Sequence, residues 1–69
     1  MEVPKLYDVV ILLTDLPEQG LRQGDQGTVV DAFDQPFGYI VEFLDAEGNF
    51  KALVDIDNPS LLRVIYSGF

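Results

Sequence analysis

The sequence predicts an all-β domain, a small five-stranded SH3-like barrel. Two patterns point there. Short runs rich in Val, Ile, Phe and Tyr recur along the chain, and clusters of Gly, Pro, Asp and Asn separate them. No uninterrupted helical stretch stands between the runs. An OB-like barrel would need longer strands and a helix, so the SH3-like form fits the lengths best.

Residues 7–14 read Y-D-V-V-I-L-L-T and form the first expected strand. Val9, Ile11 and Leu13 fall on one face, Val10 and Leu12 on the other, as in a strand that bends into both halves of a small barrel. Residues 15–26 are a polar connection broken by Pro17, Gly20 and Gly24, in which Leu16 and Leu21 are expected to fold back over a barrel end. Residues 27–34 make the second strand, Gln35-Pro36-Phe37-Gly38 a turn, and residues 38–44 the third strand. Asp45-Ala46-Glu47-Gly48 has the residues of a type I turn leading into a fourth strand at 49–56. A break at 57–60, with a short 3₁₀ turn, precedes the fifth strand at 61–66. The chain is one domain, 1–69, with tails at 1–5 and 67–69 expected to be flexible.

The register of the 38–56 hairpin follows from keeping its apolar residues on one face. A four-residue loop pairs Phe43 with Phe50, Val41 with Ala52 and Tyr39 with Val54. The other face then pairs Glu42 with Lys51 and Ile40 with Leu53. A slip of one residue would set Phe43 against Lys51.

Composition narrows the function. With 69 residues the core is thin. Yet 48% of the residues are hydrophobic, so some must remain at the surface. Twelve acidic residues face four basic ones, a net charge of −8 that repels phosphate backbones and anionic membranes. The chain contains no His and no Cys, which removes the usual acid–base and nucleophilic groupings and all thiol chemistry. Asp45, Glu47 and Asn49 surround a glycine but lack the ligand run of a calcium loop. They read as a turn, as do Asp55, Asp57 and Asn58. The expectation is a non-enzyme with no catalytic residues, no cofactor and no metal. The N-terminus lacks the pattern of a signal peptide, and the longest apolar run is too short to span a bilayer, so the expected location is cytoplasmic.

Several segments together carry a family resemblance. They are Leu6-Tyr7-Asp8-Val9-Val10, Leu16-Pro17-Glu18, the run Leu21 to Val30, Tyr39-Ile40-Val41-Glu42-Phe43 with Asp45 and Gly48, and Leu61-Leu62-Arg63. Over roughly residues 5–65 the chain resembles a bacterial family of small stand-alone proteins catalogued as a domain of unknown function. Gly24-Asp25-Gln26-Gly27-Thr28-Val29-Val30 is also similar to the G-D-x-G-T-V-V element of KOW and SH3-like barrels. The resemblance implies an SH3-like fold and no catalytic residues. The KOW likeness implies RNA or transcription-machinery partners, which the acidic balance opposes.

Ile40, Leu44 and Leu53 fall on the outer face of the central hairpin, and Phe37 at an exposed turn tip. These four form the candidate interaction surface. Tyr7, Phe33, Tyr39 and Tyr66 are expected to be core residues or barrel-end plugs. The function expected is a non-catalytic module that binds another protein or a second copy of itself. An acidic, antitoxin-like partner of a neighbouring basic protein is the alternative, and a KOW-like nucleic-acid module a second one.

Overall fold

A turn over residues 5–8 decides where the first strand starts. The Asp8 amide donates to the Lys5 carbonyl (3.0 Å), and the Lys5 amide donates back to Asp8 Oδ2 (2.9 Å). Tyr7 sits at φ +70, a left-handed conformation that costs an aromatic residue energy and is held here by its neighbours. Its amide donates to the Val29 carbonyl (2.7 Å), while the Val29 amide donates to the Asp8 carbonyl (2.9 Å). The first strand, β1, is therefore Val9–Leu12, shorter than the 7–14 expected from composition.

A computed structural model describes residues 3–68. After β1 come β2 (Gln26–Asp34), β3 (Phe37–Leu44), β4 (Phe50–Ile56) and β5 (Leu62–Tyr66), with 3₁₀ turns at Pro17–Gln19 and Pro59–Leu61. They form one antiparallel sheet in the order β4-β3-β2-β1-β5. The all-β, five-stranded expectation holds, and the arrangement fits an SH3-like fold. The ladder does not close into a ring, because among the described residues no pairing joins β4 to β5. These two are edge strands.

A flat sheet would hold β4 and β5 about 19 Å apart and leave its apolar face in water. Here Val54 and Ile56 of β4 share one buried cluster with Val10, Leu12, Val29, Tyr39, Val41, Phe43 and Leu62. The sheet must curl over its own inner face to achieve this. Three bulges serve the curl, each adding an unpaired residue to one strand: Val30 on β2, Lys51 on β4 and Ile65 on β5. Gly27 serves it too, because a Cβ there would lie 2.8 Å from Val41 Cγ1 and 2.9 Å from Phe43 Cδ1 and the Glu42 carbonyl.

The connection between β1 and β2 belongs to the core, as expected of a loop that covers a barrel end. Leu16 and Leu21 exchange backbone hydrogen bonds (3.0 Å each), and Gly20, at φ +73, turns the chain between them. Leu21 is fully buried and Leu16 packs beside it. Asp15 Oδ1 accepts from the Gln23 amide (2.8 Å), which closes the base of the loop.

The hairpin register differs from the expected one by two residues. Phe43 pairs with Ala52, Val41 with Val54, Tyr39 with Ile56, Glu42 with Leu53 and Ile40 with Asp55. Two local causes add up. Asp45 pairs with Asn49 around a type I turn whose Gly48 adopts φ +85, which shifts the pairing by one. The bulge at Lys51 shifts it by one more. A two-residue shift preserves the faces, so the inner residues of β3 stay inner. It does break the expected Glu42–Lys51 pair, and Lys51 instead reaches Asp25 (2.9 Å).

The expected turn at 35–38 is also shorter. Asp34 pairs with Phe37 and Phe33 with Gly38, leaving Gln35 and Pro36, joined by a cis peptide bond, as the loop. The tails expected at 1–5 and 67–69 lie outside the described residues at 1, 2 and 69. Pro4 is buried and accepts the Tyr39 hydroxyl (2.8 Å), and the Gly68 amide donates to Asp8 Oδ1 (3.1 Å).

Two substitutions test this account. Gly27→Ala should destabilise the fold by about 1–3 kcal/mol through overpacking. Leu21→Ala should cost about 2–5 kcal/mol, more than Leu16→Ala. Urea unfolding followed by circular dichroism reads both; an unchanged midpoint for Leu21→Ala would remove the loop from the core.

Candidate partner-binding surface

The three bulges also decide which aromatics face water. Side chains alternate between faces along a strand, and an extra residue reverses the alternation beyond it. On β2, Val29 is buried and regular alternation would place Phe33 on the same inner face. The bulge at Val30 turns Phe33 outward, and it is 44% exposed. On β4, Val54 and Ile56 point inward, and the bulge at Lys51 turns Phe50 outward, 63% exposed. On β5, Leu62 and Val64 face the core, and the bulge at Ile65 turns Tyr66 outward, 71% exposed.

The expected surface residues fall as follows. Ile40 is half-buried on the outer face of β3, between Asp31 on β2 and Asp55 on β4. Leu44 is exposed at the end of β3 opposite Phe50, and Leu53 is 58% exposed opposite Glu42. These three share one face, as expected, with Phe50 added to it. Phe37 is exposed, but on β3 rather than at a turn tip. By alternation it lies on the side of Tyr39, whose ring it meets edge-on with centroids 5.3 Å apart. Of the aromatics expected to be buried, only Tyr39 is; Tyr7, Phe33 and Tyr66 are exposed because the left-handed turn and two bulges redirect them.

At the β2–β3 hairpin end, Phe33, Pro36, Phe37, Gly38, Asp55 and Asp57 line an open depression. Sequence reasoning missed Phe33, Asp55 and Asp57 as its parts. The pattern carries no signal for Phe33, since regular alternation places it inside.

Asp45, Asp25 and Asp8 are committed to the fold. Asp45 Oδ1 accepts the amides of Glu47 and Asn49 (2.9 Å each), and these amides, Asn49 foremost, hold its carboxyl below the usual range. Asp25 Oδ2 accepts from Lys51 Nζ and from the Arg22 amide (2.9 Å each), and Lys51 above all lowers its pKa from 3.8. Asp8 is buried, serving Lys5 and Gly68. Burial first, then the Asp8 charge, raises the Tyr39 hydroxyl, which stays a donor to Pro4. Among the described residues no three His, Cys, Asp or Glu side chains come together as metal ligands, and no helix is long and apolar enough to cross a membrane.

A family model described as a domain of unknown function, DUF4926, matches residues 6–63. The chain belongs to this family. Comparisons with curated proteins and with solved structures found no match. The DUF4926 match covers every strand except the last residues of β5. Within it, two glycines of the Gly24–Val30 element have structural work: Gly24 takes φ +93 before β2, and Gly27 admits Phe43.

The Asp25 interaction has a pH signature. Its folded pKa lies below the ordinary 3.8, so its stabilisation is complete above that value and is lost as pH falls through the depressed one. Asp25→Asn should therefore be less stable than wild type at neutral pH, with the gap closing on acidification below 3.8. Urea midpoints between pH 2 and 7 check this; a constant gap would show that the carboxylate charge contributes nothing.

Proposed function

We propose that this chain is a non-catalytic interaction module that binds another protein through the outer face of β3 and β4. The observation that carries the reading is the set of apolar side chains presented there: Leu44, Phe50 and Leu53, with Ile40 half-buried between them. Phe50 stands there because of a bulge, so the exposure is built into the backbone rather than left over from a small core. Phe33 extends the apolar surface at the hairpin end. The absence of His and Cys from the sequence supports a role without catalysis. A second copy of the chain is one candidate partner, since β4 is an edge strand.

Affinity capture with the tagged protein tests the reading. Wild type should retain a partner from cell lysate that Leu53→Asp loses and that the remote variant Gln23→Ala keeps. Light scattering distinguishes self-association, in which wild type runs above the 7.7 kDa monomer mass and Leu53→Asp returns to it. A monomer whose captured proteins are the same for wild type and both variants would count against the proposal.

A further inference from the structure

The depression at the β2–β3 hairpin end combines two chemistries. Phe33, Pro36 and Phe37 supply apolar and aromatic surface, and Asp55 and Asp57 supply negative charge. Gly38, which has no side chain, leaves the floor open: a Cβ there would lie 3.4 Å from Asp55 Oδ1. Asp45 and Asp25 spend their carboxylates on backbone amides or on Lys51. Asp55 and Asp57 do not, since no hydrogen bond or ion pair among the described residues uses either carboxylate. Asp31 adds to the same field, flanking Ile40 on the side opposite Asp55.

None of the four basic residues neutralises this end. Lys51 is held by Asp25, Arg22 lies in the β1–β2 connection, Arg63 on β5 and Lys5 before β1. Like charges gathered across a sheet repel, and among the described residues no cation pairs with these carboxylates. The complement is a positive charge that also packs on aromatic rings. Arginine meets both demands, because its planar guanidinium stacks on an aromatic face while its N–H groups bond carboxylate oxygens. An ammonium is more strongly hydrated and offers no such plane.

We propose that this depression receives an arginine side chain from an extended, basic segment of the partner protein, with the guanidinium between the Asp55 and Asp57 carboxylates and against the Phe33 ring. The inference rests on the protein-binding reading and names the chemistry of that partner. Asp55 stands opposite Ile40, so a segment seated here continues onto the face that carries Leu53. The net charge of −8 draws such a segment toward the domain at long range, and the depression gives it a seat.

Titration of ¹⁵N-labelled protein with the peptide acetyl-Pro-Arg-Pro-Arg-Pro-amide tests this. The same peptide with citrulline, which keeps the shape and loses the charge, is the comparison. Amide shifts should concentrate at residues 37–38 and 55–57. Binding should weaken at least tenfold with citrulline, and at least tenfold in Asp55→Asn/Asp57→Asn, two exposed positions whose change leaves the core intact. Asp15→Asn/Glu18→Gln should bind like wild type. Equal binding of citrulline, equal loss in the 15/18 variant, or shifts centred elsewhere would overturn the proposal. Lysate capture that needs Leu53 but is unchanged in Asp55→Asn/Asp57→Asn overturns the arginine seat and leaves the interaction surface standing. Peptide binding at these amides without Leu53-dependent capture does the reverse.

Discussion

A single sheet has no second layer to bury its inner face against, so this one must curl until the face closes on itself. That constraint organises the molecule. The curl requires local breaks in pairing, and the three bulges at Val30, Lys51 and Ile65 provide them. It also requires β2 and β3 to approach closely over Phe43, which Gly27 allows by lacking a Cβ. Ten hydrophobic residues then share one buried cluster although they come from all five strands and the long connection. The same breaks that allow the core reverse the alternation beyond them and expose Phe33, Phe50 and Tyr66. Core formation and surface composition are two results of one set of backbone irregularities.

The open ends of the sheet are secured by polar contacts. Asp8 gathers the chain before β1 and after β5 through the Lys5 and Gly68 amides, and Tyr39 ties Pro4 to the inner face of β3. A buried carboxylate is costly unless its oxygens are satisfied, and both oxygens of Asp8 have amide partners. At the other end, Lys51 is freed from the ladder by its bulge and ties β4 to the β1–β2 connection through Asp25. Some carboxylates thus hold the fold, while Asp55 and Asp57 remain available at an aromatic-lined depression.

Much of the fold was legible in the sequence because turn chemistry is local. Asp45 and Gly48 announce their hairpin, Pro59 its 3₁₀ turn, and the β-branched runs their strands. Ile40, Leu44 and Leu53 could be assigned to the outer face because β3 has no extra residue and a two-residue shift of β4 leaves faces unchanged. Phe33, Phe50 and Tyr66 could not, since each lies past a bulge. The aromatic parts of the candidate site that were missed are therefore the residues beyond a break in pairing, while Asp55 and Asp57 read as turn residues.

By itself the sequence determined the number of strands, the acidic charge, the lack of His and Cys, and the alternation that builds the inner face. The tertiary structure alone decided where the alternation is interrupted. A bulge appears where a strand must bend to close a curved core, and that demand comes from strands distant in the chain. No local pattern at Val30, Lys51 or Ile65 encodes it, and so the aromatic surface of this domain could be read only after the sheet had been assembled.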